Sequence, residues 1–158
     1  MTYVDRDCGI PPHGGGWPLH APREESVLSL ELRATAIPSA IPTIRMVAAD
    51  LAARADFDLD SIDDLRMAAD DLCSMLVRIA AGNAVLRCRF TVRPERIEVA
   101  AEVDVDDGVD ALPTGSFGWR ILECLADRVS AVSLPAEPGR GGRVRITLMK
   151  DAMPAQQL

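Results

Sequence analysis

The sequence predicts an α+β fold, a two-layer sandwich in which helices cover one face of a mixed, mostly antiparallel sheet. Three observations lead there. Residues 61–81, SIDDLRMAADDLCSMLVRIAA, place apolar side chains at Ile62, Leu65, Ala69, Leu72, Leu76 and Ile79, the spacing of one helix stripe. Residues 86–105 alternate apolar and polar positions through two runs joined by a tight turn, the pattern of a hairpin. The full order reads strand, helix, helix, strand, strand, helix, strand, strand, with no internal repeat.

Residues 1–26 carry Pro11, Pro12, Gly14, Gly15, Gly16, Pro18 and Pro22, and are expected to be a mostly disordered tail. Residues 27–34 alternate, with Leu28, Leu30 and Leu32 on one side and Ser29, Glu31 and Arg33 on the other: a half-buried strand. Pro38 and Pro42 open a helix to about Ala55, because proline is tolerated in a first turn. Its apolar face is Ile41, Ile44, Val47, Ala48 and Leu51, with Arg45 and Arg54 exposed. The Asp-rich turn Asp56–Asp60 leads into the central helix. Ser61 is expected to cap that helix, Asp63 and Asp64 suit the positive end of its dipole, and Gly82 is the expected stop.

The hairpin pairs Leu86, Cys88, Phe90 and Val92 with Ile97, Val99, Ala101, Val103 and Val105 across the turn Arg93-Pro94-Glu95-Arg96. A loop with Pro113 follows, then Gly115-Ser116-Phe117-Gly118 and a helix to about Arg128 that buries Phe117, Ile121, Leu122 and Leu125. A strand near Ala131–Leu134, a loop with Gly139, Gly141 and Gly142, and a last strand with Val144, Ile146 and Leu148 complete one domain over 27–150. Residues 151–158 are read as a C-terminal tail.

A length of 158 residues suits one domain, and 27–150 is long enough to bury a core. A net charge of −7 disfavours direct binding of nucleic acid. The acidic run from Asp56 to Asp71 suits a basic protein partner or a divalent cation beside phosphate, and equally a plain solvated face. Cys8, Cys73, Cys88 and Cys124 lack the paired spacing of a zinc or redox motif. Three of them fall in apolar patterns, as small buried side chains in a reducing cytoplasm would. His13 and His20 both precede the domain, which disfavours Ser-His-Asp and Cys-His catalysis and histidine-held metals. No apolar run approaches a membrane span, and residues 1–26 lack the core of a signal peptide.

Three pieces can carry chemistry. A strand ends in Asp106-Asp107-Gly108, where a carboxylate can accept a hydrogen bond from an exocyclic amine such as that of adenine. Gly115 and Gly118 open a helix, where backbone can approach phosphate and free N–H groups favour anions. Thr147 puts a hydroxyl on the last strand after a glycine-rich loop. On the central helix, Asp71 and Met75 are surface neighbours four residues apart. Each signal alone also fits an ordinary turn, helix start, strand residue or solvated acid.

Together, in this order, they resemble the anti-sigma-factor serine kinases of the GHKL ATPase superfamily, the partner-switching regulators of bacterial stress and sporulation sigma factors. The resemblance covers roughly 27–150 and implies a Bergerat-type ATP-binding fold. That family's central helix carries a glutamate base and, four residues on, an asparagine that helps hold Mg²⁺; the matching positions here are Asp71 and Met75. Its Asp-x-Gly-x-Gly box, whose aspartate reads adenine, matches Asp106-Asp107-Gly108-Val109-Asp110, with Asp110 in place of the second glycine. Its second glycine box matches Gly115-Ser116-Phe117-Gly118-Trp119, and its late-strand box matches residues 141–148 with Thr147. The arginine facing the sigma factor corresponds to Arg45.

Two departures bear on activity. Mg²⁺ takes oxygen ligands, and a methionine thioether offers none. Aspartate is one methylene shorter than glutamate, which shortens the reach of Asp71 by roughly 1.5 Å. The resemblance therefore implies an anti-sigma factor that sequesters an alternative sigma factor and binds ATP or ADP, with Arg45 toward the partner and a homodimer as the family's assembly. The alternative is a serine/threonine kinase with Asp71 as base, phosphorylating an anti-anti-sigma antagonist. A third reading is an interaction domain that has lost nucleotide.

Overall fold

The computed structural model describes residues 27–108, 112–139 and 141–153. The expectations for residues 1–26 and for the end of the chain from 154 lie outside them. Eight elements follow in order: β1 (Leu28–Thr35), α1 (Ile41–Arg54), α2 (Leu59–Ile79), β2 (Val85–Arg93), β3 (Arg96–Asp104), α3 (Phe117–Leu125), β4 (Arg128–Leu134) and β5 (Arg143–Asp151). The sheet order is β1-β2-β3-β5-β4, and every ladder is antiparallel, so the expected mixed sheet is purely antiparallel. No helix among the described residues is long and apolar enough to cross a membrane.

The period-two pattern decides which face is covered. Leu86, Cys88 and Phe90 on β2, Ile97, Val99, Ala101 and Val103 on β3, and Ile146 and Leu148 on β5 are all fully buried under the helices. Leu65, Ala69, Leu72, Cys73 and Leu76 of α2 meet them from above. The helix also contacts α1 on one side and α3 on the other. The opposite face of the sheet carries charge. There Glu102 accepts two hydrogen bonds from Arg145, at 2.9 and 2.7 Å, and one from Arg143 at 3.3 Å. Burial pushes the Glu102 carboxyl up, but the Arg145 hydrogen bonds and the surrounding arginine charges outweigh it and hold the group below its ordinary value.

Several local expectations change. The cap of α2 is Asp58, whose carboxylate accepts from the Ser61 N–H at 2.9 Å and the Ser61 hydroxyl at 2.7 Å; Ser61 is buried inside the first turn. The better acceptor lies three residues earlier than the apolar stripe suggests. Gly82 does not stop α2, because the chain already turns extended at Ala80, and the left-handed residue is Asn83 at φ 59°. Helix α3 ends at Leu125, and Arg128 begins β4. Phe117 is 79% exposed while Trp119 is buried, its indole N–H donating to Glu123 at 2.9 Å. Cys73 and Cys88 are buried with their sulfurs 3.9 Å apart, but Cys124 is exposed. Asp151 belongs to β5 rather than to a tail, and pairs with Arg96.

One side chain ties three elements together. Lys150, on the helix side of β5, donates to Asp64 of α2 at 2.8 Å and to the carbonyl of Leu125, the last residue of α3, at 3.1 Å. The layer rests on α2, so truncating its fully buried Leu72 to alanine is expected to cost about 2–5 kcal/mol, read as a lower midpoint in urea unfolding followed by circular dichroism.

Candidate functional site

The flank of α2 that faces α3 forms one wall of a cleft of about 510 Å³. Asp71, Met75, Arg78 and Ile79 contribute from α2, and Pro113, Ser116, Phe117, Gly118 and Ile121 from the start of α3. The opposite wall exists because Ser116 caps α3. Its hydroxyl oxygen accepts from the Trp119 N–H at 3.1 Å while the hydroxyl donates to the Pro113 carbonyl at 2.7 Å. The N–H groups of Phe117 and Gly118 begin the helix and have no acceptor within it. They give this end of the cleft an affinity for anions.

Met75 is 2% exposed, and its sulfur lies 3.7 Å from the Ser116 hydroxyl oxygen. A Cβ placed on Gly118 would stand 3.4 Å from the same sulfur, so the glycine lets α3 close onto α2. Asp71 is half-buried. Burial raises its carboxyl above the ordinary value and the neighbouring charge of Asp70 adds to this, while Arg78 works the other way. Asp71 also borders a second, smaller depression of about 270 Å³ with Arg45, Arg66, Met67 and Asp70. Arg45 is exposed there and pairs with Asp70 at 3.1 Å. Met46 and Met67 are exposed on the same two helices. Asp71 therefore stands on the ridge between the cleft and the Arg45 surface. Asp64, on the same helix, is engaged by Lys150 and takes no part.

The remaining candidates are placed differently. Asp106 and Gly108 are exposed where β3 leaves the sheet, outside the lining of the cleft, and Gly108 has the positive φ of 93° that favours glycine. Val109 and Asp110 lie outside the described residues. Gly115 ends the short turn Pro113–Gly115 that delivers Ser116, with open space around it. Thr147 is not brought to the others. It lies opposite Ala100 and Ser130, between the buried Ile146 and Leu148, and so on the face of the sheet away from the helices. There it lines a separate hollow with Arg128, Val129, Ser130 and Met149. One lining residue is absent from the sequence reading. Arg78 lines the cleft, on the flank of α2 that its spacing from Asp71 would have shown. Gly141 packs so close to the chain just after β3 that a Cβ would stand 3.1 Å from the Val105 carbonyl oxygen, beside the Val105 N–H to Gly142 hydrogen bond of 2.9 Å.

Helix N–H groups, an arginine and apolar walls fit a nucleotide. A divalent metal does not fit: the position where the family places a ligand is a buried thioether. Among the described residues no group of three or more His, Cys, Asp or Glu side chains gathers to hold an ion.

No protein-family model matches the chain. It is 32% identical over 123 residues to the anti-sigma-F factor RsbW of Mycobacterium tuberculosis, covering 77% of this chain and 72% of that protein. The serine-protein kinase RsbW of Bacillus subtilis is 29% identical over 120 residues, covering 63% of this chain and 75% of that protein. The namesake in Bacillus velezensis is 27% identical over 128 residues.

The raised carboxyl of Asp71 has a signed consequence for stability. The folded state favours the protonated acid, so ionisation costs the fold as pH climbs above the ordinary value of 3.8. Asp71→Asn is expected to gain stability over the parent between pH 3 and pH 7, with the difference opening above about 3.9, measured by urea unfolding across that range.

Proposed function

The chain belongs to the RsbW family of partner-switching anti-sigma regulators, and from that membership we propose that it is an anti-sigma factor, one that binds and sequesters an alternative sigma factor in the cytoplasm. The observation that carries this reading is the 32% identity to an anti-sigma-F factor across most of both chains. The α1–α2 surface supports it. Arg45 stands exposed there with Met46 and Met67, and methionine is common on surfaces that must accommodate another protein. The cleft beside α3 is the site for ATP or ADP in this reading, with Gly118 at its phosphate end; Asp106, Gly108 and Gly115 lie outside the lining and would meet the nucleotide beyond it, Asp106 toward adenine. Thr147 has no part in it. The homodimer that the family resemblance implies belongs to this reading.

Binding to the alternative sigma factors of the same genome tests it, by surface plasmon resonance on the full chain. One of them is expected to bind at micromolar affinity or tighter, and Arg45→Glu to weaken that complex at least about tenfold, ~1.4 kcal/mol. Binding of none of them would overturn the reading.

A second reading has its own support. Asp71 lies between the cleft and the Arg45 surface, where a base would stand between a nucleotide and a docked protein, and the Bacillus relatives are named serine-protein kinases. In that case an antagonist protein gains phosphate on serine from ATP. Incubation with labelled ATP and candidate antagonists is expected to give serine label that Asp71→Ala abolishes. Label that survives the substitution removes Asp71 as the base.

A further inference from the structure

The cleft between α2 and α3 is lined by one acid and one base, Asp71 and Arg78. They are seven residues apart on α2, two turns along one face, with Met75 between them. Arg45 and Arg66, on the same helix pair, are each committed to an aspartate. Arg78 is exposed and makes no ion pair or hydrogen bond among the described residues. Its guanidinium is free to meet a ligand.

The family's usual counter-charge for phosphate is a divalent cation, and this cleft is not built to hold one. The thioether of Met75 is buried against Ser116 and Gly118. The Ser116 hydroxyl is spent on capping α3 and on the Pro113 carbonyl. Asp71 is the one carboxylate in the lining. A single carboxylate does not make an octahedral oxygen site.

We propose that this cleft binds the polyphosphate of a nucleoside di- or triphosphate without a divalent metal, and that the Arg78 guanidinium supplies the positive charge. The proposal rests on the nucleotide reading above and deepens it. Arginine suits the role, because it stays charged at every working pH and its planar fork matches two phosphate oxygens at once. The free N–H groups of Phe117 and Gly118 supply further donors from the opposite wall. Arg78 also offsets the field of Asp71, which would otherwise repel the phosphates. The substitution has a chemical cost for phosphoryl transfer. A divalent metal would supply more complete neutralisation of the charge that develops during transfer than an arginine on a flexible stem. Such a cleft retains nucleotide better than it transfers phosphate.

Isothermal titration calorimetry of the full chain with ADP, ATP and adenosine, each with Mg²⁺ and with EDTA, tests this. ADP and ATP affinities are expected to agree within about twofold in the two conditions. Arg78→Ala is expected to weaken both nucleotides about tenfold or more and to leave adenosine unchanged, with Arg78→Lys in between. Circular dichroism of both variants should match the parent, since Arg78 is exposed. Binding that collapses in EDTA, or that ignores Arg78→Ala, would overturn the proposal alone. Absence of binding by all three ligands would overturn the nucleotide reading and this proposal with it. Asp106→Asn reads that difference separately, because it should weaken adenosine and ADP alike.

Discussion

Everything in this molecule hangs on one helix being held from three sides. The apolar stripe of α2 presses on the inner face of the sheet, α1 leans on one flank and α3 on the other. Because Leu65, Ala69, Leu72 and Leu76 of the stripe are fully buried, the helix has no freedom to roll, and its flanks are fixed in direction. A rigid element fixes the side chains it carries more closely than a loop does. The flank toward α3 presents Asp71, Met75 and Arg78 to the helix start that Ser116 caps. The flank toward α1 presents Asp70 to Arg45.

This arrangement puts the proposed nucleotide cleft and the proposed partner surface on two shoulders of one helix, with Asp71 bordering both. A ligand in the cleft and a protein on the α1 side would meet the same short segment of backbone. Coupling between them needs no long relay through the core. It needs only a change in charge or position at residues 70–78. Met75 sets the character of the cleft: it seals the α2–α3 contact with a soft, adaptable side chain where a metal-dependent enzyme needs an oxygen.

Most of the fold was legible because burial follows periodicity. The stripe of α2 and the alternation of β2, β3 and β5 assign the inner face residue by residue, and the structure agrees at Leu65, Leu72, Phe90, Val99 and Ile146. Element ends were less legible, since a cap depends on geometry that spacing does not encode. Asp58 and Ser61 are both good caps, and only the turn before α2 shows that the carboxylate takes the bond. Hydrophobicity alone puts Phe117 on the buried face of α3. The axis of a nine-residue helix, set by α2, turns Trp119 inward and leaves Phe117 outside. At the site, Asp71, Met75 and Gly118 share a cleft as their motifs suggest. Thr147 does not join them, because a strand sends neighbouring side chains to opposite faces and its neighbours took the inner one. Arg78 belongs to no motif, so its place in the lining is visible only once α3 is set against α2.

The sheet order carries a further consequence for how the protein is made. Among the described residues, strand β4 pairs with β5 and with no other strand, and β5 slots between β3 and β4 although it comes last of the described elements. On the ribosome, β1, β2 and β3 can form their antiparallel ladders while β4 waits with its backbone unpaired. Closure comes only when the final strand emerges, carrying Lys150 to pin both α2 and the end of α3. A nascent chain stalled just short of that point would display half a sheet and an open cleft, a form suited to chaperones rather than to regulation.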